Sequence, residues 1–195
     1  TVTSYNIYAY YPVPAMVPEN LAVSRALALA ISRRESEFDP AARSHANAMG
    51  LMQLLPETAA RMAKTLDLAH STPQLTSNPT HNATLGAAYL ARMVEEFGPS
   101  VAMVASGYNA GPGRPRKWVN EFGDPRRDDP VDWVETIPFS ETRTYVMRVT
   151  ESLPNYRARL AGQAVPLQFL QELKGAYSPE PIFAAPAVSL RPVSR

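Results

Sequence analysis

Apolar positions recur at three- and four-residue intervals through most of the chain, and no sustained run alternates with a period of two. That is the pattern of helices packed on one another, not of sheet. Val23, Ala26, Leu27, Ala30, Ile31 and Arg34 keep the spacing and predict a first helix over 19–35, opened by Pro18-Glu19-Asn20. Its alanines allow neighbours to approach closely, so it is expected to be buried. Phe38-Asp39-Pro40 is expected to end it, because the residue before a proline disfavours the α conformation. Pro56 starts a second helix with Ala59, Met62, Ala63 and Leu66 on its apolar face. A loop is expected at 69–78, then a helix from Asn78-Pro79 to Phe97, closed by Gly98. Another helix is expected over 99–108, broken by the glycines of 109–113. Short helices are expected at 117–122 and 132–136. Ser140 is expected to cap a last long helix over 141–160, kinked or split by Pro154. The fold class is mostly α.

Two stretches stand apart from this periodicity. Residues 1–18 are rich in tyrosine and proline and read as an extended lead-in, since proline fixes φ and removes a donor. Residues 163–195 carry one short periodic run at 167–173 and otherwise read as an irregular, Pro-rich C-terminal tail. The expected organisation is therefore a lead-in at 1–18, a helical domain at 19–162, and a short helix with tail at 163–195.

Composition narrows the function. The net charge of +1, with both signs mixed, offers no basic stripe for nucleic acid and no polybasic patch for a membrane surface. No apolar run approaches the roughly 20 residues of a membrane span. There is no cysteine, which removes disulfides and thiolate metal sites. His45, His70 and His81 show no spacing suited to a metal or a nucleophile and are expected at the surface. No cofactor is expected.

The chemistry concentrates in four stretches. In Arg33-Arg34-Glu35-Ser36-Glu37-Phe38-Asp39-Pro40, Glu35 ends an apolar helix. Most glutamates at such ends are plain solvated carboxylates. Here the negative end of the helix dipole and an apolar flank both favour the protonated form, which suits a general acid. Arg33 and Arg34 project about 200° and 100° away on a helix, so burial is expected to dominate. In Gly50-Leu51-Met52-Gln53, the ordinary reading is a packed loop. The functional reading is a groove wall, where Gly50 admits a ligand to the backbone and Gln53 offers a donor and an acceptor. Tyr108-Asn109-Ala110-Gly111-Pro112-Gly113-Arg114 is a helix stop, yet a stop alone does not require the Tyr-Asn pair. In Pro138-Phe139-Ser140-Glu141-Thr142-Arg143, Glu141 lies in a first helical turn, where an ionised carboxylate is favoured. It is expected to bind, not to donate a proton.

In their order and spacing these four stretches resemble the catalytic domain of the soluble lytic transglycosylases. The resemblance covers about 20–160, and the 166–174 region resembles a C-terminal extension found in some members. It implies a lysozyme-like α fold and peptidoglycan glycan strands as substrate, cut between N-acetylmuramic acid and N-acetylglucosamine. It implies that Glu35 is the single acid/base. Ser44, Gln53, Tyr108 and Glu141 match sugar-contacting positions, and Tyr145 matches a tyrosine near the acid. Leu55 departs from the pattern, since a methionine is usual there. Full-length relatives carry a helical superhelix upstream, so this chain, which starts at Thr1, is expected to be a C-terminal part of such a protein, acting in the periplasm or cell envelope.

The same resemblance implies a 1,6-anhydromuramoyl product, because one carboxyl and the substrate's own C6 hydroxyl suffice. A hydrolytic goose-type lysozyme is the rival enzyme, and it needs a second carboxylate. Glu57, Asp128, Asp129 and Asp132 are available for that role, none in a telling motif. A non-catalytic peptidoglycan-binding module is the third reading. It predicts loss of Glu35 or of the loop glycines, and both are present.

Overall fold

A computed structural model describes residues 10–177. Nine helices span most of these residues, and the described residues hold only two isolated β-bridges, Arg43 with Met49 and Met49 with Leu54. Helix α1 (Arg25–Ser36) runs through the centre. Its Ala26 to Ser32 are all buried, as its alanine content led us to expect. It starts later than the Pro18 signal suggests. Ser24 is the cap, its Oγ accepting from Leu27 N, while the chain before it turns.

Helix α1 also stops earlier than its proline. Glu37 and Phe38 both adopt left-handed backbone, at φ 52° and 67°. The chain therefore reverses before Pro40 exerts any constraint. Ser36 fixes the reversal in space, donating from Oγ to the Leu51 carbonyl at 2.7 Å. The end of α1 is thus tied to the loop that follows it.

Helices α2 (Pro56–Thr65), α3 (Gln74–Ser77) and α4 (Pro79–Phe97) form one side of the fold. Helix α4 has the bounds its Asn78, Pro79 and Gly98 signals predict, with Asn78 Oδ1 accepting from His81 N. The short α3 occupies part of the expected loop at 69–78. Helices α5 (Val101–Ala110), α6 (Gly113–Phe122) and α7 (Pro130–Thr136) follow. Helix α8 (Ser140–Ala161) lies against α1 and α5. The cap expected at Ser140 and a split at Pro154 are both absent from α8. Ser140 is its first helical residue, with Phe139 at the cap position and no side chain closing it. Pro154 is buried inside a helix that continues to Ala161 unsplit, held by the packing of its flanks.

Helix α9 (Phe169–Lys174) docks against α5, α7 and α8. Ser100 donates to the Leu173 carbonyl, and Arg157 meets Glu172 at 2.6 Å in a fully buried ion pair. The irregular tail expected beyond it lies largely outside the described residues. Among those described, no helix is long and apolar enough to cross a membrane.

The core has two lobes. The larger joins α1, α4, α5 and α8 through residues such as Leu29, Ile31, Leu90, Met103 and Val149. The smaller packs Met49, Leu54, Met62, Leu75 and Leu85 beneath the 41–55 loop. Asn82 of α4 holds that loop down. Its Nδ2 donates to the carbonyls of Met49 and Leu75, and its Oδ1 accepts from Met52 N. Gly50 passes directly over it at φ 77°, where a Cβ would come within 1.9 Å of the Leu75 carbonyl oxygen. Removing the Asn82 amide strands the Met52 N–H and the Leu75 carbonyl, while the Met49 carbonyl keeps its bond from Leu54 N, so Asn82→Ala is expected to cost about 2–4 kcal/mol in urea unfolding. Its intrinsic tyrosine fluorescence should report a loosened loop beside Tyr108 well below the global transition.

Candidate active site

The end of α1 opens into a groove of about 620 Å³. One wall is the 44–55 loop, which supplies Ser44, His45, Gln53 and Leu55. The opposite wall comes from Tyr108, Asn109 and Gly111 at the end of α5 and from Glu141 in the first turn of α8. Thr58 and Tyr89 line it as well. Glu35 lies between these walls.

Tyr145, buried in α8, donates from its hydroxyl to Glu35 Oε1 at 2.7 Å. Burial pushes the Glu35 carboxyl up from 4.5 to about 7. The Tyr145 hydrogen bond and then the Arg34 charge pull it down, and the Glu141 charge adds a smaller push upward. Burial therefore wins, although Arg34 does act on Glu35 through its charge. Arg33 is turned away, with its guanidinium over the rings of Tyr10 and Tyr11. The hydroxyls of Tyr145 and Tyr108 are both pushed well above the ordinary tyrosine range, first by burial and then by the Glu35 charge. Neither can serve as an acid near neutral pH.

The remaining sequence-predicted residues divide by what their polar atoms are already doing. Tyr108 donates its hydroxyl to the Met52 carbonyl at 2.8 Å, leaving its ring to face the groove. Gln53 Nε2 donates to the carbonyls of Ala42 and Gly50, which leaves its Oε1 for a ligand. Its left-handed backbone, φ 49°, is part of the same tight loop. Ser44 Oγ accepts from Ala48 N at the groove rim. Leu55 is 47% exposed, a large apolar side chain presented to the groove. Asn109 Oδ1 accepts from Thr142 Oγ1 at 2.7 Å, which joins the Tyr108–Asn109 wall to the turn carrying Glu141. Gly50 does not line the groove. It is buried against Leu75 and Asn82, so its small size serves the loop's descent onto α4.

Sequence reasoning missed Tyr89, His45, Thr58 and Thr142. Tyr89 sits in the middle of a long helix and reads from spacing alone as core; its ring stands 5.3 Å from that of Tyr108. The expectation for the histidines also needs correction. His45 is an exposed residue of the groove wall, but His70 and His81 are half-buried and stacked, with Nδ1 and Nε2 3.0 Å apart. The turn between α2 and α4 brings them together, which no linear spacing reveals. Of the four carboxylates considered as a second catalytic group, Asp129 caps α7 and Asp128 accepts from Asp124 N. None of Glu57, Asp128, Asp129 and Asp132 lines the groove.

A family model described as the transglycosylase SLT domain matches residues 16–129. The chain is 38% identical over 136 residues to the soluble lytic murein transglycosylase of Escherichia coli (strain K12), covering 69% of this chain and 21% of that protein. It thus spans about a fifth of the length of that relative. The 70-kDa soluble lytic transglycosylase from Escherichia coli shares its structure with a TM-score of 0.74 and 33% identity, over 85% of this chain and 27% of that one. An inactive Glu-to-Gln mutant of the lytic transglycosylase Slt from Pseudomonas aeruginosa gives a TM-score of 0.72 and 35% identity, over 83% and 26%. The mostly α, lysozyme-like fold expected from the sequence is the fold of these proteins. With a family match that runs from the segment before α1 to the cap of α7, this chain belongs to the transglycosylase SLT domain family.

Proposed function

We propose that this chain is the catalytic part of a peptidoglycan lytic transglycosylase. It cleaves the β-1,4 bond between N-acetylmuramic acid and N-acetylglucosamine, with Glu35 as its single acid/base. The observation that carries this reading is a groove-lining carboxyl raised to about 7. A group with that proton affinity is available near neutral pH in both forms, as a one-residue cycle requires. Protonated Glu35 gives its proton to the glycosidic oxygen, and the bond from that oxygen to C1 breaks. The oxocarbenium-like centre at C1 is supported by the substrate's own acetamido oxygen. Ionised Glu35 then takes the proton of the C6 hydroxyl as that oxygen bonds to C1. The muramoyl unit leaves as its 1,6-anhydro form, Glu35 is protonated again, and no water is consumed. Holding O6 next to C1 makes the attack intramolecular, which favours it over attack by bulk water.

In this cycle the Tyr145 hydroxyl keeps the carboxyl aimed at the groove. Gln53 Oε1, Ser44 and the Tyr108 ring hold the sugars, Leu55 covers an apolar sugar face, and the Asn109–Thr142 bond sets Glu141 against the strand. The mutant relative described as inactive carries a Glu-to-Gln change, which fits a mechanism that rests on one carboxyl. The longer relatives make an upstream helical region of the same polypeptide, acting in the periplasm or cell envelope, part of this proposal. Glu141 gives a hydrolytic outcome its specific support, since it is a second carboxylate on the groove and its charge reaches Glu35. The products decide between the two. Mass spectrometry of an unreduced digest of purified sacculi should show ends one water lighter than reducing ends and inert to borohydride. A digest dominated by reducible ends would assign hydrolysis.

Glu35→Gln should abolish release of soluble fragments from sacculi, to below about 1% of the wild-type rate, because a carboxamide has no transferable proton. Circular dichroism should show the variant folded; appreciable activity in it would remove Glu35 from its role. The same substitution has a second expected effect. The folded state holds the Glu35 proton more tightly than the unfolded state, so ionisation destabilises the fold as pH rises from about 4.5 through 7. The loss approaches roughly 3 kcal/mol above that window and is absent below it. Glu35→Gln should therefore melt several degrees above wild type at pH 8 and at the same temperature at pH 4.

A further inference from the structure

The last turn of α1 carries two arginines, and they do different things. Arg33 donates to the Tyr10 carbonyl and lies over the Tyr10 and Tyr11 rings. Arg34 is exposed and makes no hydrogen bond or ion pair among the described residues. Its guanidinium lies over the ring of Tyr145, 6.0 Å from the centroid. That ring carries the hydroxyl that donates to Glu35 Oε1. Arg34 is not part of the groove lining. It opens instead on a separate cavity of about 540 Å³, formed by the end of α1, residues 10–12 and one face of α8. The other charged groups there are Arg33, Glu37, Arg148 and Glu151, and Arg148 is already paired with Glu151 at 2.9 Å. The Arg34 charge is therefore uncommitted, one residue from Glu35 and away from the groove.

Resting on the transglycosylase reading, we propose that Arg34 is a positioning residue for the acid, seated on Tyr145 outside the groove with its charge toward the carboxylate that proton donation leaves behind. Burial alone makes Glu35 a reluctant donor, since it penalises the ion that donation produces. The groups facing that ion are the Tyr145 hydroxyl and Glu141 from α8, the Tyr108 hydroxyl from α5, and Arg34 from α1 itself. The Tyr145 hydrogen bond and then the Arg34 charge favour the ionised form, and Glu141 opposes it. Tyr108 spends its hydroxyl on the Met52 carbonyl. Arg34 is the cation of this set, and it offsets part of the burial without occupying space the sugars need. The π face of Tyr145 gives its long side chain a seat. Because the guanidinium is exposed, its influence is modest and screened by salt.

The test reads the Glu35 proton directly, by carbon-13 NMR titration of the glutamate carboxyls, with Glu35→Gln identifying the signal. Alongside it, kcat/KM on soluble glycan strands is followed across pH, where it falls as free Glu35 loses its proton. Removing a cation favours the protonated form. Arg34→Gln should therefore move both the NMR midpoint and the fall in kcat/KM upward, by about half a pH unit at low salt, the scale of one exposed charge. The difference from wild type should shrink in about 0.5 M salt. Arg34→Lys keeps the charge and should return both readings to wild type. Arg33→Gln should leave both unmoved, which separates Arg34 from any basic residue at a helix end. Circular dichroism verifies that each variant is folded. A midpoint unmoved by Arg34→Gln, or moved equally by Arg33→Gln, overturns the proposal and leaves the glycan-cleaving function intact. A midpoint that moves while kcat/KM does not follow overturns both the role of Arg34 and that of Glu35 as proton donor. Failure of the wild-type chain to cut any strand overturns the transglycosylase reading and the role of Arg34 with it.

Discussion

Keeping the Glu35 carboxyl out of water is the constraint on which the rest of this structure turns. Burial is the largest influence on its proton affinity, exceeding a direct hydrogen bond and a neighbouring arginine together. To exclude water there, α1 must end abruptly at the groove floor. It does so through two successive left-handed residues with side chains, and no glycine. Such residues are strained, and the surrounding packing has to hold them. Phe38 is held edge-on by the ring of Tyr156, and Ser36 is held by the Leu51 carbonyl. Strain, cap and carboxyl lie within four consecutive residues.

The two walls of the groove are fixed by different means. The 44–55 wall is a loop with almost no regular structure, made rigid by the amides of Asn82 and Gln53 reaching its carbonyls. The opposite wall is helix end against helix start, joined by the Asn109–Thr142 bond. Precision on one side comes from buried polar contacts and on the other from packed helices. The floor, shared by α1 and α8, joins them through the Tyr145 bond to Glu35.

What the sequence made legible follows from how local each signal is. Helix α4 was read correctly at both ends because an Asn-Pro start and a Gly stop act within a few residues of themselves. The end of α1 and the motif positions of Glu35, Gln53, Tyr108 and Glu141 were equally accessible, each being a short pattern of residue types. The start of α1 was misplaced because Pro18 is a strong local signal, whereas the working cap, Ser24, is a weak one. Ser140 failed as a cap for the mirrored reason: serine has the right chemistry, but the backbone entered the helix one residue sooner. Asn82, Tyr89 and Thr142 were not legible at all. Apart from Leu75, their partners lie about 20 to 33 residues away, and until the chain is folded each reads as a polar or aromatic residue of an ordinary helix.

The bond between Tyr145 and Glu35 has one more consequence. A phenol hydroxyl can either give or receive a hydrogen bond, and this one stays neutral throughout the range in which Glu35 titrates. Donating to the ionised carboxylate, it can swing its hydrogen aside and accept once the carboxyl regains its proton. The contact then outlives each departure and return of that proton. In the proposed cycle the carboxyl need not search for its orientation between the two proton transfers, since the same oxygen pair serves as a hinge pin while a single light atom changes sides.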